Sequence, residues 1–378
     1  MEPFKVYSLF DVTPVKAKGC YLWDEKGIKY LDLYGGHAVI SIGHSHPHYI
    51  EKLTDQLNKI GFYSNAVINP LQAELAEKLG KLSGLEDYKL FLINSGAEAN
   101  ENAMKLASFV TGRSKILSFS KCFHGRTSGA VAVTDIPKII APINKTSNAV
   151  FTPFNDLDAA EEKLKTKEFA AVIIEGIQGV GGIFVPKPEF LEGLGEICKK
   201  YGTFLIMDEV QSGYGRSGKF FGFQHSKVKP DLITTAKGMA DGFPMGSVLI
   251  RPGIEPWPGM LGTTFGGNYL ACAAAIAVLD VMKDENLIEN AKNIGAYLLD
   301  ELKKIPQIKE VRGKGLMIGL QFEKSMKPIR EKLLYQEHIF TGAAGPNVLR
   351  LLPPLILTKE QAAFFIEKFK KVLNEVEV

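Results

Sequence analysis

Short apolar runs alternate with segments of helical periodicity through residues 46–283, and this alternation constrains the fold more than any other feature. Segments such as 97–110 and 189–202 carry apolar residues at helical spacing. The apolar runs are KLFLIN (89–94), KILSFS (115–120), AAVIIE (170–175), TFLIMD (203–208), DLITTA (231–236) and GSVLIR (246–251). Parallel strands joined by helical crossovers produce such a pattern. The sequence therefore predicts an α/β fold, with a mainly parallel central sheet in a large domain over 46–283.

The character of the sequence changes after residue 283. A charged helical segment, ENLIENAKNIGAYLLDELKKI, precedes EVRGKGLMIGLQF and a closing helix that begins near Thr358. This mixture predicts a smaller α+β domain over 284–378, with an N-terminal segment, 1–45, packing against it. Because the sequence has no repeat and no low-complexity linker, we expect the parts to pack tightly.

Composition and charge exclude several classes of protein. A hydrophobic content of 46% over 378 residues is sufficient for a large core. The 45 basic and 42 acidic residues leave a net charge of +3, and no stretch of Lys and Arg alternates with aromatics as in a nucleic-acid-binding surface. The longest apolar run, 271–279, is too short to span a bilayer. We therefore expect a cytoplasmic protein with no nucleic-acid partner and no membrane partner.

Cysteine and histidine spacing does not indicate a metal site. The histidines of residues 44–48 alternate around a proline without a matching acidic or cysteine cluster. The cysteines lie far apart with no paired spacing, at Cys20, Cys122, Cys198 and Cys272. We expect free thiols in a reducing compartment, and neither a disulfide framework nor a zinc site.

The run TFLIMD ends in Asp208, and Glu209 follows it directly. Ligands of open parallel sheets bind outside the carboxyl ends of the strands, so Asp208 is predicted to lie at the binding edge. A carboxylate held there by an apolar strand can face a protonated nitrogen. Taken alone, the simpler interpretation is that Asp208 caps a loop and Glu209 is solvated.

Two further elements change the balance between these interpretations. Lys237 follows the next apolar run in a glycine-rich turn, where burial can make an amine nucleophilic toward carbonyls. Ser95, Gly96 and Ala97 lie between an apolar run and a predicted helix, whose first amides can bind a phosphate; a simple capping turn would look the same. Together the three elements suit one ligand, pyridoxal 5'-phosphate (PLP), which has a ring nitrogen, a carbonyl and a phosphate.

At this point the chain resembles the fold type I PLP-dependent aminotransferases, specifically the class III or ornithine/acetylornithine branch. The matching motifs occur in family order and cover almost the whole chain. They are GHSHP (43–47), NSGAEANE (94–101), FHGRT (123–127), DEVQSGYGRSG (208–218), AKGMADGFPMG (236–246), GTTFGGN (262–268) and LRLLPP (349–354).

The resemblance implies roles for the residues around the cofactor. Lys237 would bind PLP covalently and then move protons during the reaction, while Asp208 would keep the pyridine nitrogen protonated. Gln211 would hydrogen-bond the ring hydroxyl. Phe123 would cover one ring face, and Ser95, Gly96 and Ala97 would hold the phosphate.

The resemblance also implies residues for the substrates and a second subunit. Arg126 would bind the α-carboxylate of the amino donor, Arg350 would bind 2-oxoglutarate, and Glu175 would line the substrate site. Thr264, with Thr263 beside it, resembles the family's phosphate ligand from the other subunit. A homodimer with shared active sites is therefore expected.

The implied reaction moves the δ-amino group of an N-acylornithine, acetylornithine or succinylornithine, to 2-oxoglutarate in arginine biosynthesis. The enzymatic alternative is another aminotransferase that uses ornithine or 4-aminobutyrate as the donor. The non-enzymatic alternative is a binding protein that has the PLP fold without catalytic activity. A nicotinamide-dependent dehydrogenase is disfavoured because no GxGxxG follows the first strand.

One stretch departs from the family pattern. EGIQGVGG (175–182) stands where the family usually reads EPxQGEGG, so that Val180 replaces a glutamate that commonly pairs with the arginine matching Arg350. A buried arginine needs an anion, and Glu175, a bound ion or the substrate could supply it. If the substrate supplies the anion, succinylornithine would be favoured as the donor. If a local acid or water compensates for the lost glutamate, the donor would be acetylornithine.

Overall fold

The computed structural model describes residues 1–376 and contains three sheets and eleven α-helices in that range. The strands are β1 (Pro14–Lys18), β2 (Tyr21–Asp24), β3 (Lys29–Asp32), β4 (Lys89–Ile93), β5 (Lys115–Phe119), β6 (Ala149–Thr152), β7 (Phe169–Glu175), β8 (Phe204–Asp208), β9 (Leu232–Thr235), β10 (Gly246–Ile250), β11 (Glu310–Lys314), β12 (Met317–Gln321), β13 (Ile339–Phe340), β14 (Gly342–Ala344) and β15 (Val348–Leu351). The helices are α1 (Gly35–Ala38), α2 (Pro47–Lys59), α3 (Pro70–Ser83), α4 (Gly96–Thr111), α5 (Ser128–Ala132), α6 (Leu157–Leu164), α7 (Pro188–Tyr201), α8 (Tyr269–Asp284), α9 (Leu287–Lys303), α10 (Lys327–Tyr335) and α11 (Lys359–Asn374).

The central sheet has seven strands in the order β4-β10-β9-β8-β7-β5-β6. The strands from β9 to β6 are parallel, whereas β10 runs antiparallel to both of its neighbours. The six apolar runs all form strands of this sheet, and the predicted α/β fold with a mainly parallel sheet is confirmed. The sequence analysis missed β6.

Burial on both faces explains why β7 and β8 read as continuous apolar runs. Every residue of the two strands is buried. Val172, Ile174, Leu205 and Met207 join the core on one face of the sheet. The residues that alternate with them, including Ala171 and Ile206, join a separate core on the α4 face. Since side chains alternate along a strand, helices on both faces require apolar residues at successive positions.

Local signals fix the ends of the helices around the sheet. Ser95 accepts a hydrogen bond from the amide of Glu98 and caps the start of α4, and Gly112 ends that helix in a left-handed conformation. Pro188 begins α7, and Gly202 ends it in the same way as Gly112 ends α4. These are the residues that favour helix starts and stops. The start of α4 is thereby held at the carboxyl end of β4.

The remaining strands form two smaller sheets, ordered β1-β2-β3-β13 and β11-β12-β15-β14. Because β13 pairs in parallel with β3, the N-terminal segment joins the C-terminal part of the chain. The helix break between α8 and α9, at Asn286, falls close to the proposed boundary at 283/284. The boundaries at 45/46 and 283/284 stay predictions. Among residues 1–376, no helix is both long and apolar enough to cross a membrane.

Gly295 provides a test of how closely α9 packs on the C-terminal sheet. A methyl group at this position would lie 2.1 Å from the backbone oxygen of Gly315 in the β11–β12 turn. We expect Gly295→Ala to lower the free energy of unfolding by about 1–3 kcal/mol through overpacking. Urea denaturation measures the loss. Asn293→Ala, at an exposed position of the same helix, should leave stability nearly unchanged; equal losses would contradict the packing argument.

Candidate active site

The carboxyl ends of β7, β8 and β9 and the start of α4 meet at a cavity of about 410 Å³. Predicted residues from five different parts of the chain line this cavity. They are Ser95, Gly96, Ala97, Phe123, Arg126, Glu175, Asp208, Gln211 and Lys237. The remaining predicted residues, Thr263, Thr264 and Arg350, lie outside its lining. The fold therefore brings most of the predicted site together.

Lys237 lies directly after β9 with its amine inside the protein. Burial lowers the pKa of its amine, and the charge of Arg350 adds to this, while Asp208 and Glu175 act in the opposite direction. A lowered pKa increases the fraction of neutral, nucleophilic amine. The lysine therefore has the electrostatic setting that attack on a carbonyl requires.

The turn that carries Lys237 is fixed by the N-terminal segment. Lys237 has a φ of 46°, a left-handed value that costs energy for a residue with a side chain. The Asp241 carboxylate accepts from the amides of Ser41 and Ile42 at 2.6 and 3.1 Å. The Ser41 hydroxyl donates to the Gly238 carbonyl at 2.8 Å, and the Tyr49 hydroxyl donates to the Ala240 carbonyl. These bonds support the strained conformation of the turn.

Asp208 is held by charged and polar neighbours on the α4 face of the sheet. Its Oδ2 lies 2.7 Å from His124 Nδ1 and accepts from Asn100 Nδ2 at 2.8 Å. The Val210 amide donates to Oδ1 at 3.0 Å. Burial opposes a charged imidazole, yet the nearby Cys122 and Asp208 hold the pKa of His124 well above its ordinary value. Asp208 is thus the carboxylate of a buried ion pair.

Glu209 is buried, so the interpretation that it is solvated was wrong. Glu209 directly follows Asp208, the last residue of β8. Only 1% of Glu209 is exposed. Its carboxylate accepts from the amides of Gly222 and Phe223 and from the Ser212 hydroxyl. Burial raises its pKa to about 7. Glu209 therefore organises the loop after β8.

The start of α4 is shaped to hold an anion. Ser95 caps the amide of Glu98, and the first amides of a helix have no acceptor inside it, so the amides of Gly96 and Ala97 are available to a ligand. A methyl group on Gly96 would lie 2.6 Å from Cγ1 of Val210, which excludes a larger residue. Thr263 bonds to the adjacent Asn94, and Thr264 is exposed.

The two predicted substrate arginines differ in their surroundings. Arg126 lines the cavity and is exposed. Arg350 is 3% exposed; its Nη1 donates to Gln211 Oε1 at 3.4 Å, and its Nε has no hydrogen-bond partner within residues 1–376. The Gln211 amide nitrogen donates to the His37 carbonyl. Arg350 therefore has polar contacts with Gln211 and with the Tyr34 side chain.

Glu175 does not neutralise Arg350. Its two oxygens accept from the amides of Phe123 and Gly179 at 2.9 and 2.8 Å. Burial raises the pKa of Glu175 to about 7, so the carboxyl is partly neutral near physiological pH. Within the described residues, no carboxylate lies within 4.0 Å of the Arg350 guanidinium. Glu175 therefore acts on Arg350 without direct contact, and its charge raises the pKa of the arginine.

The groups around the cavity match those of PLP. A buried amine suits its carbonyl, a buried carboxylate suits its ring nitrogen, and free helix amides suit its phosphate. Phe123 and Val210 supply apolar surface for the ring. The chemistry of the donor set therefore fits this cofactor.

Comparisons with known proteins agree with the geometry. Residues 5–373 match the aminotransferase class-III family. The chain is a class-III aminotransferase. It is 39% identical to the acetylornithine aminotransferase of Bacillus subtilis, over 98% of this chain and 97% of that protein. It is also 39% identical to the LysW-aminoadipate semialdehyde transaminase of Deinococcus radiodurans, over 98% and 88%. The ornithine aminotransferase of Toxoplasma gondii, whose structure has partial PLP occupancy, superposes with a TM-score of 0.93 at 31% identity, covering 98% and 91%.

The structure of this aminotransferase adds three residues that the sequence analysis did not single out: His124, Asn100 and Asp241. His124 and Asn100 lie inside motifs that were used for the resemblance, FHGRT and NSGAEANE. Asn100 comes four residues after Gly96 and so shares its helix face, which could have indicated it. The link from Asp241 to Ser41 spans 200 residues, and sequence spacing carries no signal for it.

Asp241 is predicted to be a positioning residue for Lys237. Asp241→Ala removes the acceptor of the Ser41 and Ile42 amides, and we expect the kcat of amino transfer to fall about tenfold or more, equivalent to ~1.4 kcal/mol, with a smaller change in KM. Asp241→Asn keeps an acceptor oxygen and should restore most of the rate. Asp300→Ala, at an exposed position of α9, is the matched control. Equal kcat values for Asp241→Ala and the control would contradict this role.

Proposed function

We propose that this chain is a PLP-dependent aminotransferase that moves the δ-amino group of an N-acylornithine to 2-oxoglutarate. The products would be glutamate and an N-acyl glutamate semialdehyde, as in arginine biosynthesis. One observation carries the proposal: a buried lysine, a buried carboxylate and free helix amides line one cavity, in a chain about 40% identical to acetylornithine aminotransferases over nearly its full length.

When bound, PLP supplies an electrophilic carbonyl and an electron-withdrawing ring. Lys237 would hold the cofactor through Nζ and, once the donor amine replaces it, move a proton to and from the substrate at the same atom. Asp208, fixed by His124 and Asn100, would keep a proton on the ring nitrogen. The amides of Gly96 and Ala97 would bind the phosphate, and Phe123 would exclude water from one ring face.

The substrates carry carboxylates that suit the two arginines. A guanidinium binds a carboxylate through paired hydrogen bonds, and Arg126 would hold the α-carboxylate of the donor in this way. Arg350 would bind the distal carboxylate of 2-oxoglutarate. Gln211, which contacts Arg350, would hydrogen-bond the ring hydroxyl and so stand between the cofactor and the acceptor. Glu175 accepts a hydrogen bond from the Phe123 amide and would shape the cavity wall between the cofactor and the acceptor.

A lysine-type donor is the second candidate function. The relative from Deinococcus radiodurans is named for an aminoadipate semialdehyde, which is one carbon longer than glutamate semialdehyde, and it is as similar to this chain as the Bacillus subtilis relative. Free ornithine and 4-aminobutyrate are the remaining alternatives.

We also propose a homodimer with shared active sites in the cytoplasm. Thr264 is exposed in the single chain and does not line its own cavity. The segment next to it is joined to residues 62–65: Phe62 and Phe265 pack with ring centroids 5.4 Å apart, and Asn65 Nδ2 donates to the Thr263 carbonyl. Exposed apolar side chains cluster here, including Leu57, Tyr63 and Ile68. Such a patch suits a partner surface.

A screen of amine donors tests the proposed reaction. With 2-oxoglutarate as acceptor, N-acylornithines should give the highest kcat/KM among N-acylornithine, ornithine, 4-aminobutyrate and lysine-type donors, as the similarity of about 40% identity to acetylornithine aminotransferases suggests. Lys237→Ala should abolish turnover and also the visible absorption of the holoenzyme that borohydride removes. A higher kcat/KM for free ornithine or 4-aminobutyrate would exclude the N-acylornithine assignment.

Mixing two inactive variants tests whether Thr264 acts across a dimer interface. A Lys237→Ala chain and a Thr264→Ala chain each lack one group, but a mixed dimer would contain one site with both. Activity should therefore rise well above that of either parent after subunit exchange, which sedimentation of differently tagged chains can verify. No gain in a sample with verified exchange would place Thr264 outside a shared site.

A further inference from the structure

One row of residues that crosses the C-terminal sheet alternates arginine with glycine. Arg312 on β11 lies opposite Gly319 on β12, and Gly319 lies opposite Arg350 on β15. Gly342 on β14 continues the row beyond Arg350. Directly opposed residues of antiparallel strands project from the same face of a sheet, and each such pair of Cα atoms is about 5 Å apart. The side chains of the two arginines therefore leave the same face, with an open position between them at Gly319.

The loop that follows β7 fills this open position. A methyl group on Gly319 would lie 2.9 Å from Cβ of Ile183 and 3.1 Å from the carbonyl oxygen of Gly182. Carbon atoms that are not bonded to each other pack best at about 3.5–4.0 Å, so the missing side chain of Gly319 is what lets the loop come this close to β12. Loop 179–183 therefore lies between the two arginines of the row.

Ile183 adopts a backbone conformation that a β-branched residue rarely takes. Its φ is 61°, in the left-handed region, and its side chain is completely buried. Such a conformation is unfavourable for isoleucine and persists only where the surrounding structure enforces it. Ile183 packs with Ala38, Met317 and Leu352 in a small hydrophobic cluster separate from the main core. The N-terminal segment, the loop and the C-terminal part of the chain thus meet at this strained residue.

Arg312 holds the loop in this position. Its Nε donates to the Gly182 carbonyl at 2.7 Å, and its guanidinium carbon lies 4.3 Å from the centroid of the Phe184 ring. Its Nη1 donates to the Glu310 carboxylate. Only 10% of the Arg312 side chain is exposed, so water competes little with the charged hydrogen bond to the loop. Arg312 therefore joins the loop to β11 on one side, while Gly319 supports it from below.

The same loop forms a wall of the cavity and touches the residues that face the acceptor. Val180 lines the cavity. Gly179 lies so close to Gln211 that an added methyl group would be 1.8 Å from Oε1 of Gln211. This Oε1 is also the atom that accepts the 3.4 Å hydrogen bond from Arg350. A shift of the loop would therefore displace Gln211 and change the direction of Arg350 at the same time.

We propose that Arg312 is a positioning residue: by holding loop 179–183 against Gly319, it keeps Gln211 and Arg350 aligned for the acceptor. The inference rests on the proposed function, in which Arg350 binds the distal carboxylate of 2-oxoglutarate. Arg312 itself contacts only the loop and its own sheet, and it acts on the acceptor through the loop. Because loss of the Arg312 contact disturbs alignment and leaves the charge of Arg350 in place, it should weaken acceptor binding more than it slows the chemical steps.

The test compares Arg312→Met with Glu310→Gln in the holoenzyme, at a saturating concentration of the best donor from the amine screen. Arg312→Met removes the bond to Gly182 and keeps an unbranched side chain beside Phe184, whereas Glu310→Gln removes only the acidic partner of Arg312. We expect the KM for 2-oxoglutarate to rise about tenfold in Arg312→Met, with a smaller change in kcat, and to stay at the wild-type value in Glu310→Gln. Arg312→Lys keeps a cation and a donor, and should restore part of the affinity. Calorimetric titration with glutarate, a dicarboxylate that cannot react, should give the same order of affinities.

Gly319→Ala tests the same loop from the opposite side, because its methyl group would push Ile183 away from β12. It should also raise the KM for 2-oxoglutarate, and with Arg312→Lys it decides the question if Arg312→Met does not fold. An Arg312→Met enzyme that loses stability in urea but keeps the wild-type KM and glutarate affinity would leave Arg312 a structural role and overturn the inference. Equal increases of KM in Arg312→Met and Glu310→Gln would assign the effect to the ion pair and overturn it as well. Failure of the wild-type holoenzyme to transfer amino groups to 2-oxoglutarate, while another acceptor is used, overturns the proposed function itself.

Discussion

The buried ion pair between Asp208 and His124 is the interaction on which the rest of the site depends. Two charges can remain inside a protein only when geometry and additional hydrogen bonds compensate for lost hydration. Here the Asn100 amide and the Val210 backbone satisfy the carboxylate, and Asn100 is itself fixed by the Thr234 hydroxyl on β9. The pair thus joins α4, β8, β9 and the loop after β5. A ligand that faces Asp208 meets a carboxylate whose position is set by four elements.

Lys237 is positioned by a part of the chain far from it in sequence. Ser41 contacts the Lys237 turn through Asp241 and Gly238, and its carbonyl accepts from the amide of Leu355, shortly after Arg350. Arg216, buried and directed at the carbonyls of Leu316 and Pro353, ties the loop after β8 to the same C-terminal region. Lys237, which follows β9, and Arg350, on β15, are therefore held in one frame.

The inner strands of the central sheet, such as β7 and β8, could be predicted because each is buried on both faces and so reads as an uninterrupted apolar run. Asp208, Glu175 and Lys237 could be predicted because polar residues that end such runs meet at one edge of a parallel sheet. The antiparallel direction of β10 could not be predicted, because the composition of a strand does not depend on the direction of its neighbours. The burial of Glu209 was missed because a solvated and a buried acid look alike in sequence, until its amide partners at Gly222 and Phe223 are placed by the fold.

Electrostatics link substrate recognition to the reactivity of the lysine. Burial does most to lower the pKa of Lys237, and the unpaired charge of Arg350 lowers it further. When a substrate carboxylate binds Arg350, that repulsion is screened and the free amine gains affinity for a proton. In the proposed reaction, neutralisation of Arg350 by a substrate carboxylate would therefore favour the protonated form of Lys237, at the stage when Nζ has to donate a proton rather than attack.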